Sequence, residues 1–313
     1  MSSLRVAFAG TPMVAVPVLE ALLGSSHHVV GVLSKPDARS GRGRRLQPSP
    51  VSVAAAERGL DLQTPASLNR EVLDQLMGEW YPDVVAVVAY GLLIPRDLVD
   101  VPRYGWVNAH FSALPAWRGA APVQHAIAHG DPSIAVTTFR IDEGLDTGPI
   151  LKRSEEVRIG DREDSGHLLA QLAPLAGTLM VETLDGLAAG TLRPTPQGTS
   201  GESYAPRILV DHARIDWHKP AMEVDRWIRA CTPEPGAWTM CGEHRLRIGT
   251  PHGIIDDETA VPGSVIVEKN RVLVAARDGF LVLDSIQANG KKSMDAAAWA
   301  RGLREATPER FDS

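Results

Sequence analysis

The chain has 313 residues, 44% hydrophobic and 22% charged, an ordinary globular composition with room for two domains or one large one. Its net charge of −6 argues against a uniformly basic nucleic-acid-binding surface, and no apolar run has the length of a membrane span or the layout of a signal peptide. Two cysteines, Cys231 and Cys241, without metal-ligand company, exclude a disulfide framework and fit reduced structural thiols in a cytoplasmic protein.

Leu4 to Ala9 reads as a buried strand, Met13 to Leu23 as a helix after Gly10-Thr11-Pro12, and His28 to Leu33 as a second strand. Strand, helix, strand at this spacing is a βαβ unit, hence a parallel sheet with a right-handed crossover. The first turn, G-T-P-M-V-A, lacks the second and third glycines of a dinucleotide fingerprint, so no nicotinamide or flavin is expected. Residues 35–50 then concentrate Lys35, Arg39, Arg42, Arg44 and Arg45 around a single acid, Asp37, in a loop rich in glycine and proline. A solvated flexible loop and a clamp for a phosphate backbone both fit, and the excess of arginine suits bidentate phosphate contacts.

Residues 51–58 and 68–77 read as helices, and 83–89 as a continuous apolar strand of the buried parallel type. A further strand opens at Trp106, a helix spans 120–129 and another strand 134–140. The longest helical run covers 164–187, and the following Pro/Gly/Ser/Thr-rich stretch reads as a linker. Beyond it come a helix at 221–230 and five short strands at 237–241, 245–248, 263–268, 272–275 and 280–286, the pattern of a small antiparallel barrel. Lys291 and Lys292 fall in a loop after Asn289-Gly290. The expected division is a Rossmann-like parallel-sheet domain over 1–189, a linker over 190–206 and a β-barrel domain over 207–313.

Asn108 and His110, two apart on a strand, project to one face. An amide donor beside a titratable imidazole suits a reaction that builds negative charge on a carbonyl oxygen, although a lone N-x-H is more often a polar strand end. Asp146, between the glycines of E-G-L-D-T-G, fits a turn-forming role and equally a general base or an orienting group for a histidine. No G-x-S-x-G or P-loop is present, and His125 and His129, four apart, lack the Glu and third ligand of a zinc site. The chemistry favoured is transfer of a carbonyl-level group to an amine, without a metal.

The segment N-A-H-F-S-A-L-P-A-W-R-G-A-A-P (108–122) together with G-L-D-T-G (144–148) resembles the paired signatures of the 10-formyltetrahydrofolate-dependent formyltransferases. The likeness runs nearly end to end, through FAGTP, GRGRRLQPSPV, VVAYGLLIP, ARIDW, IRACTPEPGAW and GKKSM, and points within that family to the members acting in translation initiation. It implies an OB-like C-terminal barrel and transfer of the formyl group of 10-formyltetrahydrofolate to the free amine of initiator methionyl-tRNA by a monomer that binds neither DNA nor membrane. Asn108 and a protonated His110 would hold the oxyanion, with Asp146 keeping His110 charged. Folate would lie along Ser112, Ala113, Leu114 and Pro115 and along Val88, Tyr90, Gly91 and Leu92. Gly10, Thr11, Pro12, Met13 and Val14 would form the methionyl pocket, with Met13-Val14 standing where the family often has an acidic residue and Phe. Lys35, Arg39, Arg42, Arg44, Arg45, Lys291 and Lys292 would contact tRNA. A formyltransferase for an amino-sugar nucleotide, a formyltetrahydrofolate hydrolase, and a tRNA-binding module without activity are the competing readings.

Overall fold

Two adjacent strands, β1 (Arg5–Gly10) and β6 (Val84–Val88), sit at the centre of a seven-stranded sheet and leave almost no side chain in water. Val6, Phe8, Val84 and Val88 are as fully buried as Ala7, Ala9 and Val85, so both faces of these strands are covered. That double burial is why they read as unbroken apolar runs rather than alternating ones. The computed structural model describes residues 3–40, 45–257, 261–303 and 310–312.

The chain order around these strands is β1, α1 (Val16–Leu23), β2 (His28–Leu33), the short pair β3 (Ala38–Ser40) and β4 (Arg45–Gln47), α2 (Pro50–Glu57), β5 (Leu62–Gln63), α3 (Arg70–Trp80), β6 and β7 (Trp106–His110). Helix starts follow local chemistry. Ser49 caps α2 by accepting from the Ser52 amide, with Pro50 in the first turn, and Asn69 caps α3 through the Val72 amide. After α4 (Pro122–His129) come β8 (Ser133–Ile134), β9 (Thr137–Arg140), β10 (Ile150–Arg153), β11 (Val157–Arg158) and α5 (Ser165–Ala189).

Strand order is β10-β9-β7-β6-β1-β2-β5. The pairs β1·β2, β1·β6, β2·β5 and β6·β7 are parallel, whereas β7·β9 and β9·β10 are antiparallel. The sheet is therefore parallel with an antiparallel edge, and the loop bearing Asp146 is a hairpin connection between β9 and β10. The basic segment is not a featureless loop, since β3 and β4 pair across it; Arg42 and Arg44 lie outside the described residues.

The molecule divides into two units that are not contiguous in sequence: residues 1–120, 134–157 and 169–204 form the first, and 121–133, 158–168 and 205–313 the second. Most of the stretch expected to be a free linker thus belongs to the first unit, and α4, expected in the first domain, belongs to the second. Among its described residues the second unit contains α6 (Ala221–Cys231) and, beyond it, eight strands, not five: β12 (Trp238–Cys241), β13 (His244–Ile248), β14 (Gly253–Asp256), β15 (Val265–Val267), β16 (Val272–Ala275), β17 (Gly279–Leu283), β18 (Ser285–Ala288) and β19 (Met294–Asp295), followed by α7 (Ala296–Arg301). They form two antiparallel four-stranded sheets, β12-β13-β18-β19 and β14-β17-β16-β15, around a core that includes Trp217, Ile228, Leu246, Val274, Ile286 and Phe311.

In the first unit one core cluster joins Ala7, Leu33, Leu73, Leu76, Trp80, Val85 and Trp106. The Trp80 indole donates to Asp61 at 2.7 Å and lies flat on the backbone of Gly31, where a Cβ would stand 2.1 Å from the ring. Gly31→Ala is therefore expected to cost about 1–3 kcal/mol through overpacking, seen as a lower midpoint in chemical denaturation. Trp80→Leu in the same chain should recover part of that loss.

Candidate active site

Parallel sheets bind ligands at the carboxyl ends of their strands, where the winding direction reverses. Here the reversal falls between β1 and β6, and the strand ends adjoin in register: Gly10 opposite Val88, and Val87 opposite Asn108. Thr11 ties the two central strand ends together through its hydroxyl, which donates to the Tyr90 carbonyl at 2.8 Å.

On β7 the alternation Trp106, Asn108, His110 places the amide and the imidazole on one face, as expected. The Asn108 side-chain oxygen is buried and has no hydrogen-bond partner among the described residues. A buried acceptor left open in this way is costly unless something else satisfies it. His110 is 5% exposed, packed edge-on against Phe139 at 6.3 Å. Its Nε2 stands 2.8 Å from the Trp117 carbonyl oxygen, an atom that can only accept, so Nε2 carries a proton. Its Nδ1 faces the Asp146 carboxylate at 3.6 Å. That is an ion-pair distance, too long for a direct hydrogen bond.

Asp146 reaches His110 because its backbone adopts φ +52°, a left-handed conformation that few non-glycine residues take. The same carboxylate accepts from the Gly119 amide at 2.8 Å. Gly148, two residues on, lies so close to the opposing strand that a Cβ would stand 1.8 Å from the Arg140 carbonyl oxygen. Its glycine is what lets the hairpin fold tightly enough to present Asp146. Asp142 secures the start of the loop, accepting from the Gly144 amide at 3.0 Å and the Thr147 hydroxyl at 2.7 Å.

Burial pushes the His110 imidazole below its ordinary value; the Asp146 charge and the Trp117 carbonyl pull the other way without outweighing it. Of the two influences, the Asp146 charge favours the charged ring and burial the neutral one. Burial thus favours the neutral ring at rest, with Nδ1 facing the Asp146 carboxylate.

The other sequence-derived residues fall into separate groups. Ser112 and Leu114 are fully buried in the turn after β7, which is fastened by the Ser112 hydroxyl on the Ala116 carbonyl at 2.5 Å and by Thr137 donating to the Ser112 carbonyl at 2.6 Å. Ala113 and Pro115 are partly exposed there. Val88 is buried; the Tyr90 ring packs into the core with Leu73 and Trp106, leaving only its backbone at the strand ends, while Gly91 is exposed and Leu92 partly so. Pro12 leads into a single 3-10 turn, Met13–Ala15, with Met13 67% exposed and Val14 half-buried. The Lys35 ammonium lies on the Gly91 backbone, 2.7 Å from where a Cβ would be, while Arg39 and Arg45 are exposed on the β3–β4 pair. Lys291 and Lys292 are exposed in the second unit after β18. Sequence reading missed the roles of Trp117 and Gly119, although both stand in the quoted motif: their contacts to His110 and Asp146 come from backbone atoms, which residue type does not announce.

A family profile described as "Formyl transferase" matches residues 4–184, and one described as "Formyl transferase, C-terminal domain" matches residues 207–304. The chain belongs to the formyl transferase family. The protein named methionyl-tRNA formyltransferase from Thermobifida fusca (strain YX) is 49% identical over 308 residues, covering 98% of this chain and 99% of its own. Its namesake from Corynebacterium diphtheriae is 50% identical over 307 residues, covering 96% and 97%. Among solved structures, the N-formyltransferase from Helicobacter canadensis, in complex with folinic acid and dTDP-3-aminofucose, superposes with a TM-score of 0.64 at 19% identity, covering 90% of this chain and 98% of its own. HypX from Aquifex aeolicus, in complex with tetrahydrofolic acid, gives 0.64 at 16%, covering 96% of this chain. The chain spans 47% of that HypX chain, about half its length, and at these identities the likeness speaks for a shared formyl transferase fold. The chain is a formyl-transferring enzyme, and among the described residues no helix is long and apolar enough to cross a membrane.

Asp146→Asn removes the charge that raises His110 while leaving the ring buried. The His110 titration, followed by imidazole NMR, is expected to move to still lower pH in that variant; a shift to higher pH would contradict the assignment of burial and carboxylate as opposing influences.

Proposed function

We propose that this chain transfers the formyl group of 10-formyltetrahydrofolate to the α-amine of initiator methionyl-tRNA. The observation that carries the chemistry is the set of three groups at one strand edge: an amide with an open buried oxygen, a buried imidazole, and a carboxylate facing its second nitrogen. The choice of acceptor rests on relatives of that name, similar over nearly their whole length.

His110 acts first as a base in this reading. As the amine nitrogen bonds to the formyl carbon, its proton passes to Nδ1, directly or through water, and is held between Nδ1 and Asp146. The imidazolium so formed and the Asn108 amide N–H stabilise the oxyanion. The Asn108 side-chain oxygen takes an N–H of the attacking amine. When the carbon–nitrogen bond to the folate breaks, the proton returns to the departing nitrogen, so charge and atoms balance.

The turn 112–115 and the backbone of 88–92 would seat the folate, with side chains that are already packed fixing the ledge. Residues 10–14 would line the methionyl side, where the exposed Met13 takes the place of the family's acidic residue and the half-buried Val14 that of its aromatic ring. Lys35, Arg39 and Arg45, with Arg42 and Arg44 by sequence, would engage the tRNA backbone, as would Lys291 and Lys292; such contacts make binding salt-dependent. In domain terms, residues 1–189 would carry the chemistry and 207–313 would contribute to tRNA binding.

Asn108→Ala is expected to fold normally and lose on the order of 100–1000-fold in turnover. The assay is formation of formylmethionine from 10-formyltetrahydrofolate and methionyl-tRNA, run beside an amino-sugar nucleotide as acceptor. Near-normal turnover by the variant would remove Asn108 from the mechanism, and formylation of the sugar amine alone would replace the acceptor.

A further inference from the structure

Residues 190–204 have the composition of a plain connector, yet the first unit's catalytic loops are fastened by them. Thr195 exchanges both backbone hydrogen bonds with Ile150, at 2.8 Å each, bringing the segment beside the Asp146 hairpin. Gln197 then uses every polar atom of its side chain on that site. Its Nε2 donates to the Asp146 carbonyl at 2.8 Å and to the Gly148 carbonyl at 2.7 Å, and its Oε1 accepts from Arg118 Nη2 at 2.8 Å and Nε at 3.1 Å. The buried Arg118 pairs through Nη1 with Glu202 at 2.8 Å. The Ser203 hydroxyl and carbonyl accept from the amides of Trp117 at 2.9 Å and Arg118 at 2.8 Å.

These anchors bear on the two backbone positions that frame His110. Asp146 and Trp117 both have positive φ, +52° and +60°, without being glycine. A conformation of that kind persists only where its surroundings enforce it. Gln197 holds the peptide groups on either side of the Asp146–Gly148 turn, and Ser203 holds the amide of the residue whose carbonyl binds Nε2.

We propose that residues 195–203 form a clamp, with Gln197 as its principal positioning residue, that sets Asp146 and Trp117 against the two nitrogens of His110. The clamp rests on the catalytic reading of His110 given above. It makes formyl transfer depend on a side chain that touches neither substrate: misplacing a reacting group by about 1 Å costs on the order of 100-fold in rate.

The test compares Gln197→Leu and Ser203→Ala with the full-length parent. Four quantities are read: kcat, KM for each substrate, thermal unfolding, and the His110 titration by NMR. The leucine keeps the volume and removes all four hydrogen bonds; the alanine removes only the bond to the Trp117 amide. Gln197→Leu is expected to lower kcat by about 10–100-fold with KM nearly unchanged. Its His110 titration should fall, because the Asp146 charge drifts from Nδ1, and Ser203→Ala should disturb the titration less. An unmoved titration in both variants overturns the clamp, whether or not stability drops. A moved titration with parental kcat upholds the clamp's geometry and overturns the catalytic reading of His110, so the two failures are distinguishable.

Discussion

A buried imidazole with a hydrogen-bond acceptor at each nitrogen is the constraint on which the first unit turns. The Trp117 carbonyl fixes a proton on Nε2, and the Asp146 carboxylate stands 3.6 Å from Nδ1. Burial favours the neutral ring. The rest of the site serves to hold these groups in place: two left-handed residues, a glycine forced by the Arg140 carbonyl, and a clamp outside the strand.

The sheet supplies the frame. Its central strands are buried on both faces and cannot shift without disrupting core packing, so the strand ends at Gly10, Val88 and Asn108 are fixed relative to one another. The antiparallel edge matters as much. Because β9 pairs with β7 in the opposite sense, the β9–β10 connection leaves beside the start of β7, with Arg140 opposite Val107, and Asp146 meets His110 only because that loop folds back along the strand.

Much of this was legible from residue pattern. Alternation placed Asn108 and His110 on one face, and unbroken apolar runs gave the parallel core. Glycines around Asp146 announced a tight loop, although not that it joins antiparallel strands. Three features were not legible, each because it depends on distant atoms. The ionisation of His110 is set by burial, which no local sequence encodes; a carboxylate partner read in isolation suggests a charged ring. Gln197 sits in a segment whose composition says linker, and only its long-range bonds to Asp146, Gly148 and Arg118 give it a function. The strand Gly253–Asp256 was missed because its paired partner, β17, lies far along the chain and its own side chains are half exposed.

The chain's likeness to the methionyl-tRNA formyltransferases gives the reaction, but the order in which His110 gains its proton is a property of this geometry. The pH dependence of single-turnover formyl transfer to methionyl-tRNA tests it most directly. A neutral, buried base predicts a rate that rises with pH and stays high above the ordinary imidazole value of 6.5. A rate that falls above that value, with the fall abolished in His110→Asn, would mean that the ring must be charged before the amine attacks, and would contradict the account.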